Sequence, residues 1–156
     1  MFHELIVLII SIIIFLTNQP QALMDVENQV VNLMSYNIRH GTDIHDHNTL
    51  EEQAGVIVKS GAWLVGIQEV DNNTKRTGHV DQSLILSQLT GMNVFFTSSM
   101  PYQGGEYGIA LLSKYAIVMS KEHHFKTRPG MEPRSCQVIR VTPPQPQLLS
   151  SGRSIL

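Results

Sequence analysis

The sequence predicts a mixed α/β domain, a sheet with helices packed on it. Three observations lead there. Apolar, β-branched runs alternate with amphipathic helical stretches in the order β-α-β-α-β. Further strand-like runs then follow with no helix between them. The chain has 156 residues, 42% of them hydrophobic, enough to bury one core but not two. Early strands are expected to connect through crossover helices.

The first strand is expected over residues 30–38 (VVNLMSYNI), rich in β-branched and apolar side chains. A polar loop containing Gly41 follows. Asn48 or Thr49, with Glu51 or Glu52 beyond it, makes a capping-box pattern that starts a helix. Leu50, Ala54, Ile57 and Val58 then share one helical face, and Gly61 ends the element. Residues 63–70 (WLVGIQEV) read as a second buried strand, and residues 71–80 as a polar loop. Asp81 is placed to cap a second helix carrying Leu84, Ile85 and Leu89, closed by Gly91. Short strands are expected at 94–97, 107–113, 116–119 and 135–141, with a turn at Gly104-Gly105.

The two ends differ from this domain, which is assigned to residues 26–141. Residues 5–16 (LIVLIISIIIFL) are apolar except for Ser11, yet fall short of the ~20 residues that span a bilayer. Gln19-Pro20-Gln21-Ala22 is a polar exit with Ala22 as a cleavage position. Residues 1–25 therefore read as a secretory signal peptide, with a short membrane anchor or a buried helix as the alternatives. The usual positive flank is missing from Met1-Phe2-His3-Glu4. A secreted location is expected, and Asn72-Asn73-Thr74 is a glycosylation sequon that such a route would expose. Residues 142–156 (TPPQPQLLSSGRSIL) show neither period and read as a disordered tail.

Charge and cysteine narrow the function classes. Eleven Lys+Arg against 13 Asp+Glu give a net charge of -2, so a broadly basic nucleic-acid-binding surface is excluded. The single cysteine, Cys136, excludes an intrachain disulfide and a Cys-rich zinc site. It reads as a small buried hydrophobe, and Trp63 as core.

Asn37 and Glu69 fall at the C-terminal ends of the first two strands. If those strands are neighbours, both side chains enter one crevice, where open α/β sheets bind ligands. An amide oxygen and a carboxylate are hard ligands suited to Mg²⁺ or Mn²⁺ beside a substrate phosphate. A polar strand end with a solvated Glu is the alternative. Arg76 and Arg134 are candidate phosphate contacts, since a guanidinium matches phosphate oxygens, with a solvated loop arginine as the alternative for each. Tyr107 reads as packing within its strand, with facing the cleft as the alternative. His40, His45 and His47 make a third reading, a zinc-binding loop.

Three segments sharpen this. Ser35-Tyr36-Asn37-Ile38-Arg39-His40-Gly41, Val65-Gly66-Ile67-Gln68-Glu69-Val70-Asp71 and Gly105-Glu106-Tyr107-Gly108-Ile109-Ala110-Leu111-Leu112-Ser113-Lys114 together resemble the endonuclease/exonuclease/phosphatase family, the DNase I-like superfamily. Glu132-Pro133-Arg134 resembles the segment before the next strand in many bacterial-type members. The resemblance covers residues 30–141. It implies a four-layer α/β/β/α sandwich and metal-dependent phosphoester hydrolysis, with Glu69 as direct Mg²⁺ ligand and Asn37 positioning metal or phosphate. The family's substrates include nucleic acids, inositol phosphates and sphingomyelin, so the phosphoester is left open.

The family pattern continues with a strand ending in His, an Asp-x-Asn segment and an Asp-His pair, none of which follows Val141 here. The resemblance therefore implies the first half of such a domain, with weak or no turnover as it stands, or a non-catalytic binding fragment. A second sheet this small would leave a face with Leu33, Leu64, Ile67 and Leu111 exposed, favouring self-association.

Overall fold

The computed structural model describes residues 30–142. The leader and all of the tail but Thr142 lie outside them. Among the described residues no helix is long and apolar enough to cross a membrane.

The element order is β1 (Leu33–Asn37), α1 (Leu50–Ser60), β2 (Leu64–Asn72), α2 (Gln82–Thr90), β3 (Asn93–Tyr102), β4 (Gly105–Ser113), β5 (Ala116–Phe125) and β6 (Arg134–Thr142). Four strands form one sheet in the order β1-β2-β4-β3, and β5 and β6 form a separate two-stranded sheet. β1 and β2 are parallel, with α1 as the crossover between them. The other pairs are antiparallel. β3 and β4 turn through Gln103 and Gly104, both at positive φ, as a tight two-residue hairpin requires.

Each face of the four-stranded sheet follows from its alternation. Val65, Ile67, Ala110 and Leu112 are buried with Ala54 and Ile57 of α1 and Leu86 of α2. Gln68, Ile109 and Leu111 lie on the opposite face, where the β5–β6 hairpin packs. Gln137 of β6 anchors it by donating to the carbonyls of Phe95 and Ile109 and to Thr97 Oγ1. The described residues thus supply three layers, helices, sheet and hairpin.

Several expectations need correction. α1 buries Gln53 in place of Val58, which is 57% exposed. Gln53 is held inside because its amide donates to the Ile38 carbonyl. In α2, Leu86 is the buried anchor, while Leu84 and Leu89 face solvent. Asp81 caps α2 as expected, accepting from the Leu84 N–H at 3.0 Å, but Thr49 makes no side-chain cap to α1. β3 and β5 run well beyond the short strands read from composition, and Thr142, assigned to the tail, ends β6. Ile67 faces the helices and is buried, whereas Leu33 is exposed and Leu64 and Leu111 are half-buried. Trp63 and Cys136 are half-buried too, Trp63 lying edge-on to Tyr115. The sequon is built into the fold, with Thr74 buried and its hydroxyl donating to Asp71.

Candidate functional site

The site begins where two bulges flank one glycine. The β2–β4 register slips between Gln68 and Val70, leaving Glu69 as the extra residue at φ 58. The β3–β4 register slips between Ser98 and Met100. Both slips lie against Gly108, whose position admits no side chain, since a Cβ there would lie 2.0 Å from the Thr97 carbonyl oxygen. A bulge re-aims the side chain it carries. Glu69 is therefore not at the end of its strand, as periodicity suggested, but on a kink inside it.

Asn37 closes β1 and reaches across. Its amide nitrogen donates to Glu69 Oε1 at 2.7 Å, and its Oδ1 accepts from the Arg39 N–H at 2.9 Å. The other Glu69 carboxylate oxygen has no protein partner among the described residues. The first two candidate residues are thus in direct contact.

Glu69 lines a cavity of about 240 Å³ with His40, Arg76, Met100, Tyr102, Tyr107 and Glu132. An adjoining groove shares Glu69, Tyr107 and Glu132 and adds Asn37 and Arg134. The structure thus brings the other three candidates around Glu69, Asn37 in contact with it, Arg76 in the cavity and Arg134 in the groove.

Neither arginine is without a partner. Arg76 donates through Nε and a terminal nitrogen to the two oxygens of fully buried Asp71, at 2.6 and 2.7 Å. Its guanidinium lies 4.5 Å from the centre of the Tyr102 ring and 5.5 Å from that of Tyr107. Asp71 raises the Arg76 pKa further. Three of its five N–H donors remain. Arg134 pairs with Glu132 at 2.8 Å near the surface, a weaker arrangement.

Sequence reasoning missed His40 and Glu132 as cavity walls and read Tyr107 as packing. Tyr107 lines the cavity, and burial, then Glu69 and Glu132, push its pKa above 10.0, so the phenol stays protonated. Burial and then Arg76 hold His40 below its ordinary 6.5. The zinc reading finds no support. His45 and His47 lie 6.0 Å apart, and among the described residues no three His, Cys, Asp or Glu side chains gather to hold a metal.

No protein-family model matches the chain, and no curated protein does. Solved structures do. Over 73% of this chain it superposes on an endonuclease/exonuclease/phosphatase from Beutenbergia cavernae DSM 12333 with a TM-score of 0.60 and 19% identity. Over 72% it superposes on an endonuclease/exonuclease/phosphatase family protein from Leptotrichia buccalis C-1013-b, with a TM-score of 0.57 and 14% identity. The matched part spans 35% and 49% of those chains. The described residues have the endonuclease/exonuclease/phosphatase, DNase I-like fold over part of its extent.

Proposed function

We propose that the cavity beside Glu69 binds a divalent cation, Mg²⁺ or Mn²⁺, together with the phosphoryl group of a phosphoester. The observation that carries this is the Asn37–Glu69 contact. One carboxylate oxygen is fixed by an amide and the other is left for a ligand, on a backbone bent to present it.

The donor set fits such an ion. Glu69 and the Asn37 oxygen are hard ligands, and one or two protein oxygens suffice for a cation that keeps several waters. When bound, the cation would neutralise charge on a phosphoryl oxygen. The protein's own residues would do the rest. Asn37 orients the carboxylate. Arg76, immobilised by Asp71 and two aromatic rings, offers its remaining N–H groups to phosphate oxygens. Arg134 can approach from the groove, and protonated Tyr107 can donate a hydrogen bond. The solved structures of similar fold are named for nuclease and phosphatase chemistry, which agrees with a phosphoester ligand.

Turnover of this polypeptide alone is expected to be weak or absent. Among the described residues the one Asp–His hydrogen bond, Asp43 with His47, lies outside the cavity lining, and a general base is worth about 10²–10⁴-fold. The second reading is accordingly a binding fragment with the same site. A phosphodiesterase assay on bis(p-nitrophenyl) phosphate with Mg²⁺ and Mn²⁺ separates the two. The binding reading expects no turnover above a metal blank, and turnover abolished by Glu69→Gln would overturn it.

Self-association belongs to the same reading. Val118, Phe125 and Val138 of the hairpin are exposed at 58%, 49% and 55%, and Leu33 of β1 at 69%, and exposed apolar strand surface favours a second copy. Sedimentation that stays monomeric across concentration would count against it. Secretion through residues 1–25 is proposed from sequence only, and the N-terminus of the exported protein tests it.

A further inference from the structure

We infer that His40 is a phosphate-contacting residue of this site and that Gln82 is the residue that positions it.

His40 sits in the 3-10 turn Arg39–Gly41 at φ 44 and ψ 38, a left-handed conformation uncommon for residues other than glycine, though histidine adopts it more readily than most. Its neighbours clamp it there. Gln82, 2% exposed, donates from Nε2 to the His40 carbonyl at 2.7 Å and accepts from the Asp71 N–H through Oε1 at 2.9 Å. One buried amide thus joins the turn after β1 to the residue that grips Arg76. The clamp also leaves no room at the next position, where a Cβ on Gly41 would lie 2.8 Å from Gln82 Nε2.

The imidazole held this way is half-buried and lines the cavity. Its ring nitrogens make no hydrogen bond among the described residues and are not among the buried unpartnered atoms, so they are open to a ligand that enters the cavity. The lining of this cavity combines two carboxylates, Glu69 and Glu132, with Arg76 and His40. Repulsion from the carboxylates and attraction to Arg76 favour an anion held at Arg76, near which the neutral imidazole supplies a donor. Lowered basicity of His40 agrees with a ring that binds by hydrogen bond rather than by charge.

The inference rests on the phosphoryl reading of the site, and the test keeps the two apart. Inorganic phosphate is titrated into the full chain by calorimetry, with and without Mn²⁺, for the wild type, His40→Gly and Gln82→Met. Glycine adopts a φ of 44 freely, so His40→Gly removes the ring without straining the turn. Its phosphate affinity should fall about tenfold or more, the worth of a hydrogen bond to a charged group, with Mn²⁺ affinity unchanged. In the wild type the His40 ring proton resonance should shift on adding phosphate, and in Gln82→Met that shift should be lost while unfolding stays cooperative. Equal phosphate affinity in His40→Gly, or no phosphate binding by the wild type, overturns the inference. An unchanged shift in Gln82→Met overturns the role of Gln82. Mn²⁺ binding that ignores Glu69→Gln overturns the cation reading instead and leaves the metal-free comparison to decide His40.

Discussion

Arg76 grips Asp71 through two hydrogen bonds of 2.6 and 2.7 Å, and the carboxylate it grips has no exposure to solvent. The pair is therefore structural as well as electrostatic. Removing one partner from a buried pair costs more than removing both, because it strands a charge. Arg76→Ala should lower stability by about 3 kcal/mol, and Arg76→Gln combined with Asp71→Asn by clearly less. A denaturant double-mutant cycle over Arg76→Gln and Asp71→Asn measures this, and a double-variant loss equal to the sum of the two single losses would show that the charges do not couple.

Asn37 is an exposed side chain whose amide orients a carboxylate, so its loss should affect ligand binding more than folding. Partners that orient a metal ligand are worth about 10–100-fold in affinity. Asn37→Ala should weaken Mn²⁺ binding by about that factor with little change in melting temperature. A fall in stability with no change in Mn²⁺ affinity would assign Asn37 to the turn alone.

Glu69 carries a backbone cost. A residue with a Cβ in the left-handed region is disfavoured by about 1–2 kcal/mol relative to glycine. Glu69→Gly and Glu69→Ala both lack the carboxylate, so their difference isolates the backbone. The glycine variant should be more stable by about 1 kcal/mol, a melting difference of about 3–4 °C for a domain of this size. Equal melting temperatures would mean that the bulge relaxes.

His40 makes stability depend on pH. Burial and then Arg76 depress its folded-state pKa, Asp71 and Glu69 oppose them, and Arg39 adds to the lowering. Glu132 faces the same cavity. Below the unfolded value of about 6.5 the unfolded chain binds the extra proton first. Stability should thus be full above that pH and decline as pH falls toward the folded pKa. Urea midpoints from pH 7.5 to 5.0 in EDTA measure it, with His40→Gly as the control. A slope that persists in that variant would place the titrating group elsewhere.

Much of the frame could be read from residue pattern. The β1–α1–β2 crossover, the Asp81 cap and the ends of both helices follow from periodicity and local chemistry, and Asn37 and Glu69 were found as a pair. What pattern concealed has physical causes. A bulge inserts one residue and leaves the flanking alternation intact, so Glu69 read as a strand end. Gln53 and Gln82 look like surface residues until their backbone partners are known. Arg76 is legible as a candidate phosphate contact, but its partner is not, because Asp71, five residues earlier, lies in a strand and gives no helical spacing. Tyr102 and Tyr107 meet Arg76 through the hairpin between them, a tertiary relationship that neither tyrosine announces.

The most direct measurement is a Mn²⁺ titration of the full chain, followed by electron paramagnetic resonance, for the wild type and Glu69→Gln. The account predicts a saturable site in the wild type that is lost in the variant, with both proteins unfolding cooperatively. Undiminished Mn²⁺ binding in Glu69→Gln, or no site in the folded wild type, would contradict it.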